Sequence, residues 1–438
     1  MSSVKIDFST ATAIVVANMI GTGVFTSLGF QVMETKTIFA LLMLWMIGGV
    51  IAFCGALAYS ELGAAIPRSG GEYTYLSRIY HPAVGFLSGW VSLIVGFAAP
   101  IALAAMALAG YVSAIYPQIN ETLVAATVVV IITIVHSRSL RMAGKFQNSA
   151  TLIKLIFIFI FILSGFMFVE HQPVSILPVK GSFTEIWSSG FAVSLIFVSY
   201  AYSGWNASAY LADEIKDPQK NLPSSILWGT LIVMILYVLL NMIFLFTVPI
   251  SEMQDPNGNP VLEIGSLSAV KIFGVTGGKM MSLAIALLLV STISSMIFAG
   301  PRVATVIGED LTSLQFFTKR NSNGIPIVAV FFQSTLALIL IFTSTFDAVL
   351  TYLGFILSLF TTLTVMGVFI LRYQEPELVR PFNMWGYPFT PLIFISLNIW
   401  ILWYVIKERP LESLIGVGTL MIGLVVYLIS KKISMNKL

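Results

Sequence analysis

The chain has 438 residues, 57% of them hydrophobic and only 10% charged, with a net charge of +3 and a mean hydropathy of +0.93. Soluble domains carry about a quarter charged residues, so this composition belongs to a polytopic membrane protein. One cysteine, Cys54, excludes an internal disulfide and a cysteine-based zinc site; three histidines at predicted loops and helix ends (His81, His136, His171) argue against a metal-dependent membrane enzyme; and no basic run suits nucleic acid.

Hydropathy predicts twelve spans, roughly 8–33, 37–64, 84–115, 121–136, 149–169, 189–211, 224–248, 266–307, 326–344, 347–372, 388–406 and 411–430. The first is too long for a signal-peptide core and is read as a retained span. The eighth run is overlong and divides into an amphipathic lead-in around Leu267–Phe273 and a helix from about Lys279. No polar gap is large enough for a soluble domain, so residues 1–438 form one membrane domain. Lys and Arg number 16 in the loops and tails assigned to the cytoplasm and 6 outside, with Lys154 inside a span completing the 23, which places both termini in the cytoplasm.

Within the first span, Asn18-Met19-Ile20-Gly21-Thr22-Gly23-Val24-Phe25 sets two glycines about a threonine at the midpoint. Each glycine costs a helix about 1 kcal/mol against alanine. Either the helix is broken and its freed amides face a ligand, or Gly21 and Gly23 admit a close neighbour. The loop at 65–83 mixes breakers with aromatics in Ile66-Pro67-Arg68-Ser69-Gly70-Gly71-Glu72-Tyr73-Thr74-Tyr75, and reads as a surface loop or as a re-entrant, gate-lining segment. The sixth span repeats the signature of the first in Phe197-Val198-Ser199-Tyr200-Ala201-Tyr202-Ser203-Gly204-Trp205-Asn206, and ends at the charged, proline-bounded stretch Asp213–Pro223. Interrupted helices at matching positions of two halves point to a transporter with a midplane site.

These residues carry a resemblance. Ile20-Gly21-Thr22-Gly23-Val24-Phe25 resembles the Ile-Gly-Ser-Gly-Ile-Phe motif of amino acid–polyamine–organocation (APC) superfamily transporters. Tyr200–Asn206, followed by Asp213-Glu214 and Asp217-Pro218, is similar to the sixth-span pattern of their L-type amino acid transporter branch. Glu61-Leu62-Gly63 through Tyr73, and Ser294–Arg302, match further. The resemblance implies an all-α membrane protein of the LeuT-like fold. Its five-plus-five inverted repeat would occupy 8–169 and 189–372, with helices 1 and 6 discontinuous and two peripheral helices at 388–430.

It also implies a site. Freed N–H groups at Gly21, Thr22 and Gly23 bind an amino acid carboxylate, helped by the helix dipole. Freed carbonyls of Met19 and Ile20, and those around Tyr200, Ala201 and Ser203, accept from its ammonium. Tyr200 matches the aromatic that caps the substrate from outside, or else is a core aromatic with its hydroxyl satisfied. Ser203 stands where the family has glycine and should shrink the side-chain pocket. Gly204, Trp205 and Asn206 support the unwound segment. Lys154, about one turn into the fifth span, either snorkels to the inner interface or places its ammonium where sodium-coupled relatives hold an ion, beside Ser294 and Ser295. Glu61 is expected to pair with a loop arginine, Asp347 to open the tenth helix, and Arg302 and Glu309 to serve an inner gate or ion pair.

The expectation is a plasma-membrane, sodium-independent secondary transporter, an exchanger of small to mid-sized neutral L-amino acids working by alternating access, without enzymatic activity, metal or cofactor. A proton-coupled symporter, a cationic amino acid or polyamine carrier and a transporter-fold sensor are the alternatives. Eukaryotic members of the branch join a single-span glycoprotein through a cysteine between spans three and four; the loop here, Tyr116–Glu121, has none, so no disulfide-linked heavy chain is expected.

Overall fold

The computed structural model describes residues 5–138, 141–168, 172 and 174–435; His171 and Lys437 lie outside the described residues. Helices account for the expected runs in order. The first run is two helices, α1 (Phe8–Met19) and α2 (Gly23–Glu34), followed by α3 (Ile38–Ala65). Side chains fix the starts: Asp7 caps α1 by accepting from Thr10 N–H, and Thr37 does the same for α3 through Ala40 N–H. The segment expected as a loop at 65–83 contains a helix, α4 (Glu72–Ile79), with Glu72, Tyr75, Leu76 and Ile79 buried on one face. The segment is therefore not a plain surface loop. The pattern was hard to read because Gly70 and Gly71 precede α4 in left-handed conformations, φ 114° and 51°.

The third run comprises α5 (Pro82–Val91), one wide π-helical turn at Ser92–Gly96, and α6 (Ala98–Ser113). Then come α7 (Glu121–Arg138), α8 (Arg141–Phe168) and the short α9 (Ser182–Ile186). The sixth run is α10 (Ser189–Tyr202) and a tight helical segment, Ala207–Glu214, separated by four non-helical residues. The chain continues through α11 (Pro218–Thr247), α12 (Ile264–Asp310), α13 (Ile327–Thr343), α14 (Phe346–Gln374), α15 (Phe389–Glu408) and α16 (Pro410–Met435). Inside α12, Gly274 has φ 75° and ψ −178°, so the lead-in and the long helix divide there, somewhat before Lys279.

Among the described residues nine of these runs are long and apolar enough to cross a membrane, and 152–168 and 327–343 are shorter apolar helices. With the interrupted α10 run they make up the twelve. Among the described residues there is no strand, only the isolated bridges Ile6 to Ile215 and Gln254 to Pro260. The broken pair α1–α2 runs through the interior: α1 packs on α11, and α2 on α10 and α12. Helices α7 and α8 lie outside and expose Ile131, Ile134, Leu152, Ile156 and Phe159, apolar surface suited to lipid.

Candidate functional site

The first break is real, and its backbone is already partly occupied. Helix α1 ends at Met19; Ile20 leaves helical geometry with ψ 87°, and the Gly21 N–H turns back to the Met19 carbonyl at 2.9 Å. The same carbonyl accepts a 2.6 Å bond from the Tyr237 hydroxyl of α11. Thus two groups expected to be free, the Gly21 amide and the Met19 carbonyl, are committed within the protein in this conformation. The first N–H groups of α2 (Gly23, Val24) and that of Thr22 have no intrahelical acceptor. The close-packing reading holds as well: a Cβ at Gly23 would lie 2.6 Å from Ala201 Cα, so glycine there is what lets α2 meet α10.

The second break faces the first. Ser203 leaves helical geometry with ψ 155°, and its N–H closes on the Tyr200 carbonyl at 2.9 Å. Gly204 has φ 98°, and a Cβ there would meet the Asn18 carbonyl carbon at 2.9 Å; only glycine satisfies both the turn and the contact. Trp205 is buried edge-on against Tyr59, with ring centroids 4.5 Å apart, and Asn206 Nδ2 donates to Glu72 Oε1 at 3.2 Å. Tyr200 spans the two breaks, its hydroxyl 2.9 Å from Thr22 Oγ1. Thr22 and Tyr200 are buried, Asn18 is exposed, and Gly21, Gly204 and Asn206 are half-buried. Beside the second break a cavity of about 40 Å³ is lined by Ser199, Tyr200, Ser203, Trp205, Ser358 and Asn398 among others. That holds about one water.

Lys154 settles onto the first break. Helix α8 begins at Arg141, well before the expected 149, so Lys154 sits near mid-helix rather than one turn in. It is 3% exposed, which removes the snorkelling alternative. Its ammonium donates to Thr292 Oγ1 of α12 at 3.0 Å and to the Ile20 carbonyl at 3.4 Å. The expected link from the first break to the eighth run is therefore present, but through Thr292. Ser294 instead meets His136 Nε2 of α7 at 2.7 Å, and Ser295 donates to the Thr292 carbonyl at 2.9 Å, because successive residues of a helix point about 100° apart. Thr292 lies one turn before Ser295, among the four hydroxyls at 291, 292, 294 and 295. Nothing in the pattern singled out His136 as the partner of Ser294.

Around the site the remaining charges are structural. Glu61 takes a bidentate pair from Arg372 at 2.7 and 2.8 Å and the Met384 N–H at 2.8 Å, with Arg380 of the following loop at 3.7 Å. Asp347, in the first turn of α14, pairs with Arg409 at 2.8 Å, as its place at the helix start suggested. Arg302 stacks over the Phe298 ring at 3.7 Å. Among the described residues no cluster of His, Cys, Asp or Glu could hold a metal.

Comparison with known proteins agrees with this architecture. Residues 6–429 match the family described as amino acid permease. The mouse b(0,+)-type amino acid transporter 1 is 29% identical over 431 residues, covering 94% of this chain and 85% of that protein. The human large neutral amino acids transporter small subunit 2 is 28% identical over 436 residues, covering 97% and 79%. Family and relatives are transporters, not enzymes, and with the apolar helices they place the molecule in the plasma membrane as a multi-pass protein. With two facing helix breaks and a match along nearly its whole length, the chain belongs to the amino acid permease family of the APC superfamily.

Proposed function

We propose that this permease is a sodium-independent exchanger of small to mid-sized neutral L-amino acids, working by alternating access around the two breaks. The repeats are 8–169 and 189–372, inverted with respect to each other, with 388–430 peripheral and both termini cytoplasmic. The substrate carboxylate docks on the N–H groups of Thr22 and Gly23 at the start of α2, where the helix dipole also favours an anion. Its ammonium meets the last-turn carbonyls of α10, around Tyr200 and Ala201. Tyr200, held to Thr22, closes the outer side; exposed Asn18 and half-buried Gly21 then mark an inward-facing state.

The observation that carries this reading is the buried Lys154 ammonium bridging Ile20 and Thr292. A fixed cation already occupies the place between the first break and α12, and a mobile cation entering there would meet like charge in a low-dielectric surround. Ser203 and the small cavity beside it support a short substrate side chain. One relative is named a small subunit; in this chain the only cysteine, Cys54, is buried in α3, which supports a carrier without a disulfide-linked partner.

The test is uptake of radiolabelled alanine, serine, leucine and arginine into proteoliposomes, with and without internal amino acid, sodium or a proton gradient. The expected result is uptake of neutral substrates that needs internal amino acid and that neither gradient drives. Sodium dependence would overturn the role of Lys154. Proton-driven uptake into empty vesicles would move the assignment to symport, and uptake of arginine alone to a cationic carrier. Tight binding without flux would make it a sensor.

A further inference from the structure

Glu72, the first residue of α4, is a buried ionisable group with no part in the transport steps above. It is 6% exposed. Its Oε1 accepts a 2.6 Å bond from the Tyr59 hydroxyl of α3 and the 3.2 Å bond from Asn206; Ser88 Oγ of α5 donates to Oε2 at 3.5 Å. Among the described residues no lysine or arginine lies within 4.0 Å of it. The other titratable groups facing it are phenols: Tyr75 from α4 itself, and Tyr210 from the segment after the second break, whose ring packs against Gly71. Three elements, α3, α5 and the second break, therefore converge on one carboxyl group of α4 through neutral donors.

Two of those elements belong to different parts of the fold. Asn206 is the last residue of the second break, whereas α4 belongs to the loop that joins α3 to α5. A carboxyl group clamped between them reports, and biases, whether the break is held. Burial pushes the Glu72 carboxyl up from its ordinary range, against the pull of its three donors and of the α4 N-terminus.

We propose that Glu72 is a positioning residue for transport, bracing the Ser203–Asn206 break against α4 and making that brace responsive to proton binding. The proposal rests on the reading of the break as part of the substrate site. The sign follows from linkage. In the braced conformation the carboxyl holds a proton more readily than it would in water. Acid therefore favours the brace, and rising pH charges Glu72 and loosens it.

Two readouts separate this proposal from the reading beneath it. Hydrogen–deuterium exchange of segment 203–214 in the purified protein, corrected for chemical exchange, reports opening of the break without requiring transport. As pH rises from the ordinary glutamate range to mildly alkaline, opening of the wild type should rise roughly threefold or more, and the maximal exchange rate in proteoliposomes, with equal pH on both sides, should rise with it while KM moves less. Glu72→Gln keeps the shape, with its amide oxygen accepting from Tyr59 and Asn206 and its amide nitrogen donating to Ser88. Lacking the charge, it should be flat with pH in both readouts. Tyr59→Phe removes one donor to the carboxylate and should move the midpoint up by roughly half a pH unit or more. A wild-type slope in Glu72→Gln, or an unmoved midpoint in Tyr59→Phe, overturns the proposal. A pH-linked opening in a protein that carries no amino acid would support the brace and sink the transport reading instead.

Discussion

At the first break the free backbone is held by donors: the Tyr237 hydroxyl on the Met19 carbonyl and the Lys154 ammonium on the Ile20 carbonyl. At the second break the hold comes from an acceptor, the Glu72 carboxylate receiving Asn206. Both breaks bare the last carbonyls of a helix, α1 or α10, and they differ in what covers them. Helix α1 terminates at the first break and leaves carbonyls, each costing about 1–3 kcal/mol if buried unsatisfied, so donors are recruited. Ser203 and Gly204 satisfy much of their own turn, and what needs fixing there is a side chain, Asn206. The two breaks thus both end a helix and differ in chemistry: a lysine side chain holds one, an ionisable carboxyl group the other.

The largest expected effect comes from removing the cation. Lys154→Met keeps the apolar stem and its packing but leaves the Ile20 carbonyl and the Thr292 hydroxyl without their common donor. A hydrogen bond to a charged group contributes about 1.5–3 kcal/mol, so exchange should fall by roughly ten- to a hundredfold. Size-exclusion elution should stay normal, because a neutral residue in that place costs no burial of charge. Exchange within about twofold of wild type would remove Lys154 from the mechanism and with it the contrast between the breaks.

Gly23→Ala comes next, and asks whether the first break depends on contact as well as on freed amides. The added methyl would sit 2.6 Å from the Ala201 Cα and Cβ, so either α2 or α10 must shift. Overpacking of this kind costs about 1–3 kcal/mol, and a lower melting temperature should accompany roughly tenfold slower exchange. Gly21→Ala is the control: a Cβ there meets only the Thr292 methyl at 4.0 Å, so stability should stay close to wild type. Equal melting temperatures for the two variants would show that Gly23 is not a packing glycine.

How much of this could be read from the chain depends on where the information sits. The breaks were legible because Gly21, Gly23 and Gly204 are local exceptions in apolar runs, and Lys154 because a cation in a span is an exception of the same sort. Glu72 carries no such signal: in a polar loop an acid is ordinary, and only the tertiary convergence of Tyr59, Ser88 and Asn206 makes it unusual. The exchange of Ser294 for Thr292 has another cause. A one-residue spacing cannot say which of several hydroxyls faces inward until the rotation of α12 is fixed, and Pro301 and Gly274 within it make that rotation unreadable from periodicity. The polar stretch before Lys154 has the composition of a loop, yet it continues α8 and sets Lys154 near mid-helix.

The smallest expected effect tests the bond that joins the two breaks. Thr22→Val and Tyr200→Phe each delete one hydroxyl of the same 2.9 Å pair and keep its volume. If the bond closes the outer side, each variant should favour opening by about 1 kcal/mol, a roughly fivefold change in the inward–outward equilibrium. The measurable result is tighter apparent binding of externally added substrate with a slower maximal exchange rate. The pair should also be non-additive: once one hydroxyl is gone the other has no partner to lose, so the double variant should resemble either single one. Additive losses would mean that each hydroxyl acts on its own, Thr22 at the carboxylate and Tyr200 at the substrate side chain. The breaks would then be two independent half-sites rather than one site latched across its middle.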